Sequence, residues 1–589
     1  MTNNVAIIGS GIVSAIGCTK SEVLTALLEE RSGICEMHFL DSLHHEFPVG
    51  EVKMSNSKMK EMLGIEEDRI VSRTVLMGAL AIKQAIEEAK IEMLSSPRII
   101  IINGTTVGGM DITERFYNSM KTDKKYLSLI NHHDCGSCTS EMADICGINA
   151  EICTVSTACS ASLNAIAVGA DMLRREEADI VIAGGAEALS KFHLNGFNTL
   201  MILDKDRCRP FDDSRAGLNL GEGAAFVVMT RSDEYTLSLT KSLTIEGYGN
   251  ACDAFHQTAT SDEGIGATQA MKEALSMAGL LPAEIDYINA HGTGTPNNDS
   301  TESEALMRVF GEHIPPVSST KPFTGHTTSA SGAIELVICQ LAMENGFIPT
   351  NLGWTTPMKH GINPSVGTQH QNLHYVMCNS FGFGGNDTSL ILGCHIQSKS
   401  KKSEYKDVGI EIAASSEIHS VEELNAVKEF ITPMEARRMG KLLKAATFTS
   451  LKVLKEACVE IPDAIITATS NGMMEYSEKF LEEMIENRES LLKPTLFMQS
   501  THNTIGSSVA IKLCCHGYNI TYCQGERSLE WAMKDAVRLI QTGRAETVLV
   551  GCHDESTTQF NDFRCQMGKQ PLPMIYSKSI LLKKIKRII

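Results

Sequence analysis

The amino-acid sequence predicts an α/β fold in which helices cover both faces of buried sheets. Over residues 1 to 395, short β-branched runs alternate with longer segments whose apolar residues recur at helical spacing. Buried strands punctuated by helices indicate covered sheets rather than a sandwich or a bundle. The predicted strands are Val5 to Ile8, Arg98 to Ile102, Ile152 to Val155, Ile180 to Ala183, Ala224 to Met229, Tyr287 to Asn289 and Ser389 to Leu392, and the clearest helices are Arg73 to Ala89 and Ser160 to Arg174.

Composition and charge exclude several classes of protein. Of the 589 residues, 43% are hydrophobic and 21% charged, which is ordinary globular usage and argues against disorder or fibrous repeats. The 53 Lys and Arg residues against 71 Asp and Glu give a net charge of −18, so neither nucleic acid nor a membrane surface is expected as the main partner. No apolar run approaches the roughly 20 residues of a membrane helix. The 18 scattered cysteines, without a secretion signal, predict reduced thiols and a cytoplasmic protein.

The chain divides into two unequal units. Residues 396–406 are polar and charged and are the predicted linker between a first domain, 1–395, and a second, 407–589. The second unit is an internal repeat of the first: Arg437 to Ala457 resembles Arg69 to Ala89, and similar pairs of segments follow. Nothing in it matches residues 231–395. The first domain is therefore expected to have halves 1–230 and 231–395, and the second to copy only the N-terminal half.

Four segments of the first domain carry residues suited to catalysis. Cys159 lies at a strand-to-helix junction, where the helix dipole is expected to lower the pKa of a thiol, although a buried core cysteine is the plain alternative. His291 follows a strand in a glycine-rich loop, the end at which α/β sheets place their sites. The four segments are Val155 to Ser162, Asn289 to Asp299, Ser319 to His326 and Asn379 to Asn386.

Together, and in this order, these segments resemble the β-ketoacyl-[acyl carrier protein] synthases of the condensing-enzyme family. The resemblance covers residues 1–395 and implies the thiolase fold, a duplicated αβαβα arrangement. Residues 407–589 resemble the N-terminal half of the chain-length-factor-like partners of such synthases, so a second, partial thiolase-like domain is expected. Aligning the repeat places Gly525 at the position of Cys159, and this unit is therefore expected to be degenerate and without catalysis.

The resemblance implies decarboxylative Claisen condensation of an acyl thioester with malonyl-[acyl carrier protein], extending a chain by two carbons. Cys159 becomes the nucleophile, and His291 and His326 stabilise the enolate that forms on decarboxylation. Lys321 supports their electrostatics, paired with Glu302. Phe383 is the gating aromatic, and its loop, which contains Gly384, helps to form the oxyanion site.

Further roles implied by the resemblance concern the substrates and partners. The substrates are carried on the phosphopantetheine of acyl carrier protein, so no metal or organic cofactor is expected. A homodimer or pseudo-dimer through thiolase-fold halves is also expected. The basic docking cluster for the carrier is assigned to Lys205, Arg207 and Arg209, and the acyl pocket to Val107 and Met110.

Two other functions and the choice of pathway stay open at this point. A thiolase acting on acyl-CoA has a second catalytic cysteine where this chain has the loop around Phe383, and it lacks a counterpart of His326. A chain-length-factor or scaffold partner without catalysis is expected to have lost its nucleophile, whereas Cys159 is present. Fatty-acid, polyketide and polyene synthesis all fit, and the attached half-domain favours a specialised pathway such as that of aryl polyenes.

Overall fold

The structure, a computed structural model, describes residues 4–90, 97–231, 243–394 and 408–585. The predicted linker at 396–406 lies outside these residues. The described strands are β1 Val5–Ser14, β2 Ile99–Gly104, β3 Glu151–Val155, β4 Ile180–Glu187, β5 Gly223–Arg231, β6 Leu243–Cys252, β7 Tyr287–Asn289, β8 Val317–Ser318, β9 Phe347–Ile348, β10 Gln369–His370, β11 Tyr375–Gly382, β12 Asn386–Cys394, β13 Ile410–Ile418, β14 Ala464–Ala468, β15 Tyr518–Tyr522, β16 Thr547–Glu555 and β17 Ile575–Lys584.

Helices cover the strands on both faces. The helix Ser331–Asn345 is buried at every position from 331 to 343, which is the environment of a helix enclosed by other layers. It packs against the helix Ala161–Arg174 and against β5 and β11. The described α-helices are Lys20–Leu28, Asn56–Leu63, Arg73–Ala89, Met110–Thr122, Cys135–Cys146, Ala161–Arg174, Lys191–Thr199, Ile265–Ala278, Pro296–Phe310, Lys321–Thr324, Ser331–Asn345, Pro433–Arg438, Lys441–Glu456, Met474–Glu486, Pro494–Met498, Thr504–Leu513, Ser528–Gln541 and Thr558–Gln566.

Strands from both units form one sheet whose order shows the repeat directly. The order is β13-β17-β16-β14-β15-β3-β2-β4-β5-β1-β6-β12-β11-β7-β8. Read outward from the contact between β15 and β3, the five strands of the second unit mirror the first five of the first domain. The two edges meet antiparallel at Tyr522 and Val155, with the Ser156 amide donating to the Thr521 carbonyl at 2.9 Å. The half-copy, residues 408–585, therefore docks edge to edge on the strand that leads to Cys159.

The turn that follows this strand corrects the alignment of the two copies. Ala158 has a positive φ of 50° and Gly525 one of 53°, and each opens a single 3₁₀ turn before a long helix. These helices begin at Ala161 and Ser528. The sequence alignment, which matched Gly525 with Cys159, is therefore wrong by one residue, because it paired Ser162-Leu163 with Ser528-Leu529, whereas the structure places Ser528 opposite Ala161. Glu526 occupies the position of the nucleophile, and a carboxylate there cannot form the thioester.

Among the described residues, no helix is long and apolar enough to cross a membrane.

Candidate active site

Cys159 lies at the end of β3, in the turn Ala158–Ser160 that precedes the helix Ala161–Arg174. The left-handed backbone of Ala158 turns the chain sharply at this point, a conformation that costs a non-glycine residue about 1–3 kcal/mol. The Ser380 hydroxyl donates to the Cys159 carbonyl at 2.9 Å and ties the turn to β11. The Cys159 side chain is thereby held in the interior, with 5% of the residue exposed.

His291 follows β7 in a loop that two buried carboxylates hold. The Glu302 carboxylate accepts hydrogen bonds from the amides of His291 at 2.9 Å and Gly292 at 2.7 Å. Asp299 Oδ1 accepts from the amides of Thr293 at 3.0 Å and Gly294. Both carboxylates come from the helix Pro296–Phe310, so this helix fixes the loop that carries the histidine.

His326 faces the thiol directly. Its Nε2 atom lies 3.1 Å from Cys159 Sγ, and its Nδ1 atom lies 2.9 Å from the Ser331 hydroxyl. The preceding Gly325 has a φ of 73° and no room for a side chain, since a Cβ there would lie 2.7 Å from the Leu220 carbonyl oxygen. The His291 and His326 rings are nearly perpendicular, with centroids 5.4 Å apart.

Lys321 donates to three acceptors, as many as an ammonium group has protons. Its Nζ atom lies 2.5 Å from the His291 carbonyl oxygen, 2.6 Å from Glu335 Oε1 and 3.3 Å from His291 Nδ1. The predicted pairing of Lys321 with Glu302 is therefore wrong. Both Glu302 oxygens are occupied by backbone amides, whereas Glu335 is one helical turn beyond Ser331 and shares its face toward the site.

Burial dominates the ionisation of the thiol. It raises the pKa of Cys159 to about 11, and this outweighs the opposing effects of Lys321 and of hydrogen bonds to the sulfur from the Phe383 and Cys159 amides. The expectation that the helix dipole lowers this pKa overall is therefore wrong. Cys159 rests as a neutral thiol beside His326, while the same two amides oppose the rise in its pKa.

The same burial keeps the histidines neutral. It lowers the pKa of His291 well below its usual range, assisted by the nearby Lys321 cation and by His326. The pKa of His326 is lowered by burial and by Lys321 in the same direction. Because Lys321 donates to His291 Nδ1, the proton of neutral His291 must lie on Nε2.

Phe383 lies beside this centre in the turn Phe383–Gly385, between β11 and β12. Its ring stacks on Phe197 with centroids 5.5 Å apart and an interplanar angle of 18°. Gly384 has a φ of 83°, and a Cβ there would lie 2.8 Å from the Asn503 side chain of the half-copy. The predicted gating residue therefore contacts both units of the chain.

The predicted pocket residues Val107 and Met110 join an apolar cluster that includes Phe197 and Phe383. The half-copy supplies part of this cluster, through side chains that sequence reasoning did not identify. The Phe497 ring lies 5.6 Å from that of Phe197, and Phe480 and Leu496 also belong to the cluster. No signal within either copy predicted these contacts, because they form only when the two sheet edges pair.

The predicted docking cluster is not uniform. Lys205 and Arg207 are exposed, whereas Arg209 is partly buried and donates to the Ser214 carbonyl at 3.1 Å. Arg209 also lies 3.5 Å from Asp204. Only Lys205 and Arg207 therefore present charges to the solvent that are free to meet an acidic partner.

The thiol and the two imidazoles also have the donor types of a metal site. Within the described part of the chain, Cys159, His291 and His326 form the group whose ligand atoms lie within 4.8 Å of one another. The ammonium of Lys321, 3.3 Å from His291 Nδ1, places a positive charge next to any cation bound there. This donor set fits thiol and proton chemistry better than it fits a metal ion.

Comparison with protein-family models covers most of the chain. Residues 2–234 match the N-terminal domain of beta-ketoacyl synthases and residues 243–355 match the C-terminal domain. A further N-terminal-domain model matches residues 413–584. The repeat and the partial second domain that the sequence predicted are thereby confirmed.

Individual relatives agree with these matches. The 3-oxoacyl-[acyl-carrier-protein] synthase 2 of Coxiella burnetii is 33% identical, over 66% of this chain and 98% of the relative. Nodulation protein E of Rhizobium meliloti is 30% identical, over 66% of this chain and 99% of its own length. The chain therefore belongs to the β-ketoacyl synthase family, whose members extend acyl chains by Claisen condensation, and the predicted synthase class is confirmed.

Solved structures show the same fold. The ishigamide ketosynthase/chain length factor is 29% identical with a TM-score of 0.61, over 67% of this chain and 99% of that chain. A ketosynthase in complex with its chain length factor from Xenorhabdus doucetiae is 31% identical with a TM-score of 0.58, over 66% of this chain and 98% of that chain. The PfaC keto synthase-chain length factor matches 100% of this chain and 79% of that chain with a TM-score of 0.81 at 15% identity, which shows a shared fold alone.

Proposed function

We propose that this protein condenses a Cys159-bound acyl chain with malonyl-[acyl carrier protein], with loss of CO₂. The observation that carries the proposal is the group formed by Cys159 Sγ, His326 Nε2 and His291, with two backbone amides directed at the sulfur. A thiol suits this chemistry because it is both a nucleophile and a good leaving group. The substrates supply their own phosphopantetheine, and the proposal requires no resident cofactor.

Acyl transfer begins with the neutral thiol. The Cys159 proton passes to His326 Nε2 as sulfur attacks the carrier thioester, and the same proton then leaves with the carrier thiol. The amides of Cys159 and Phe383 stabilise the tetrahedral oxyanion, a contribution of about 10²- to 10³-fold in rate for one such donor. Because the resting thiol has a pKa near 11, His326 is needed in this step as well as in the next.

Decarboxylation then uses both histidines as hydrogen-bond donors. The C–C bond to the malonyl carboxylate breaks, CO₂ leaves, and its electron pair forms an enolate whose oxygen accepts Nε2–H from His291 and His326. Lys321 fixes the His291 tautomer for this purpose. The Ser331 hydroxyl can donate to or accept from His326 Nδ1, so it accommodates the tautomer required in each half-reaction. The enolate carbon attacks the acyl thioester, and Cys159 leaves as thiolate and takes up a proton from water, which restores the neutral thiol.

We further propose that residues 407–589 form a built-in partner domain, joined to the synthase domain, 1–395, through residues 396–406. Its edge contact with β3 and its aromatic residues beside Phe197 support this role. The chain then acts as a pseudo-dimer in which the half-copy replaces a second subunit. Chain length factors accompany the ketosynthases in the structures compared above, which favours a polyketide or aryl polyene pathway in the cytoplasm over general fatty-acid synthesis.

The two alternative functions fit the site less well. A thiolase needs a second cysteine in the loop where this chain has Phe383, and the described residues place no cysteine beside Cys159 in that loop. A scaffold without catalysis does not require the three hydrogen bonds that Lys321 donates to His291 and Glu335.

Intact-mass spectrometry after incubation with an acyl-loaded carrier protein tests the proposal. The acyl mass is expected on the wild type and absent from Cys159→Ala. Addition of malonyl carrier protein should then release a product extended by two carbons. An unmodified wild type, or an adduct that survives the Cys159→Ala change, would show the function to be wrong.

A further inference from the structure

Asn503, a buried side chain of the half-copy, donates two hydrogen bonds to the loop that carries Phe383. Asn503 Nδ2 lies 2.7 Å from the Phe383 carbonyl oxygen and 2.8 Å from Asn386 Oδ1. Only 1% of Asn503 is exposed. Its two amide protons are therefore both used on this loop, one at the start of the turn and one at the first residue of β12.

Other contacts fix the same peptide from the opposite side. The Gly384 amide donates to the Gln257 carbonyl at 2.7 Å, so the peptide between Phe383 and Gly384 is bonded at both its C=O and its N–H. Gln257 in turn donates from its side chain to Ser508 of the half-copy at 3.3 Å. The left-handed Gly384, packed against Asn503 and Ser507, leaves this peptide little freedom to rotate.

This peptide determines the direction of the preceding amide, which is a catalytic group in the function proposed above. The loop lies against the nucleophile, since a Cβ at the preceding Gly382 would lie 3.1 Å from the Cys159 amide nitrogen, and the Phe383 N–H donates to Cys159 Sγ as half of the oxyanion site proposed above. It belongs to the residue whose carbonyl Asn503 holds, so this anchor restrains the position of the Phe383 Cα atom, from which both the N–H and the stacked ring extend. A displacement of about 1 Å in such a group can cost about a hundredfold in rate.

We propose that Asn503 is a positioning residue that the half-copy supplies to the condensing reaction, and that it acts by orienting the Phe383 amide. The inference rests on the proposed function. In this proposal the half-copy affects the rate of condensation as well as the length of the product. The half-copy has no nucleophile of its own, yet the synthase domain requires it for a fully formed oxyanion site.

Variants at Asn503 test this role in the full-length chain. Asn503→Ala removes both donors, and Asn503→Asp places a carboxylate oxygen against the Phe383 carbonyl oxygen and should be the more damaging. We expect kcat for condensation to fall about tenfold to a hundredfold, with KM for the carrier substrates changed by less than about threefold. Loosening the loop should also speed alkylation of Cys159 by iodoacetamide, because the loop that lies against this residue is then held less firmly.

Trp531→Phe is the matched control. Trp531 Nε1 donates to the Ile152 carbonyl at 3.0 Å, so this change also removes one buried hydrogen bond between the two units, but away from the loop. It should lower the thermal unfolding midpoint without altering kcat or the alkylation rate. Comparing the midpoints of all variants separates a loss of stability from a loss of positioning.

Each outcome bears on a different claim. Asn503 variants with wild-type kcat and alkylation rate, or a Trp531→Phe variant with the same kinetic defect as Asn503→Ala, would overturn the positioning role while leaving the function intact. A wild type that neither acylates nor condenses would overturn the proposed function itself.

Discussion

His326 Nε2 lies 3.1 Å from Cys159 Sγ, within reach for proton transfer, and the thiol it faces has a pKa of about 11. The helix that follows Cys159 therefore does not produce a resting thiolate. Burial outweighs the effects of Lys321 and of the two backbone amides that lower the pKa of this thiol, and an imidazole must take the proton in the proposed reaction. His326 is therefore expected to act both in acyl transfer and in decarboxylation. The sequence alone had assigned activation of the thiol to the helix dipole and stabilisation of the enolate to the histidines.

Because of this contact, His326→Ala should abolish both half-reactions. We expect self-acylation of Cys159 to fall by about 10²-fold or more, the usual scale of general-base catalysis, together with malonyl decarboxylation. Intact mass and CO₂ release measure the two steps separately. The sequence-based interpretation, in which the helix activates the thiol, predicts substantial acylation in this variant, and such a result would contradict the present one.

The raised pKa of Cys159 predicts a distinctive pH profile for its alkylation. Below the pKa the thiolate fraction rises about tenfold per pH unit, so the rate constant with iodoacetamide should climb continuously from pH 7 to about 10. A thiol activated by the helix dipole would instead level off near or below neutral pH. The acid-quenched mass of the Cys159 adduct at each pH provides the measurement, with Cys159→Ala correcting for the other cysteines.

Lys321→Met should affect the second half-reaction more than the first. Without the Nζ donor at 3.3 Å, His291 Nδ1 is free to take the proton, and its Nε2 no longer donates reliably to the enolate. We expect malonyl decarboxylation to fall at least about tenfold more than self-acylation. Glu335→Gln, which keeps the lysine, is the control, and equal losses in both steps for Lys321→Met would contradict this assignment.

The sequence motifs predicted which residues the structure brings together around Cys159, whereas sequence reasoning failed where long-range packing decides. The catalytic roles of these residues stay a prediction. Strand β1 extends to Ser14, beyond the predicted end at Ile8, since Gly9 and Gly11 are not strand breakers here. A Cβ at Gly11 would lie 2.0 Å from the Ala81 carbonyl oxygen, so these glycines allow the helix Arg73–Ala89 to approach the strand. Glu335 escaped notice because only its helical spacing from Ser331 indicated a role.

Substitutions at Arg207 and Arg209 should separate docking of the carrier protein from stability of the fold. Arg207→Glu is expected to raise KM for the carrier protein several-fold, with an effect that weakens as salt screens the charges. Arg209→Ala should instead lower the unfolding midpoint, because its guanidinium bonds Ser214 and faces Asp204 within the fold. Steady-state kinetics at two ionic strengths measure the first effect. An unchanged KM for Arg207→Glu would place the docking surface elsewhere.

Phe497 is expected to limit the length of the product although it lies in the half-copy. Its ring packs against Gly196, where a Cβ would lie 2.1 Å from it, and against Phe197 next to the gate. Phe497→Ala should open this space and shift the products toward longer chains, with Phe497→Leu intermediate. Phe430→Ala, which disrupts a remote aromatic pair in the same unit, is the control. Mass spectrometry of the released products would contradict the idea if both Phe497 variants gave the wild-type distribution.

The pairing of β3 with β15 predicts that the two units depend on each other rather than on the segment that joins them. Deletion of residues 400–589 exposes the β3 edge and the surface that Trp531 covers, so the shortened chain should be insoluble or should self-associate. Cleavage at a protease site inserted between residues 396 and 406 leaves that interface intact, and the two pieces should co-elute and keep condensing activity. Size-exclusion chromatography and product analysis distinguish the cases. A soluble, monomeric and fully active deletion variant would show that the half-copy neither completes the fold nor serves the active site.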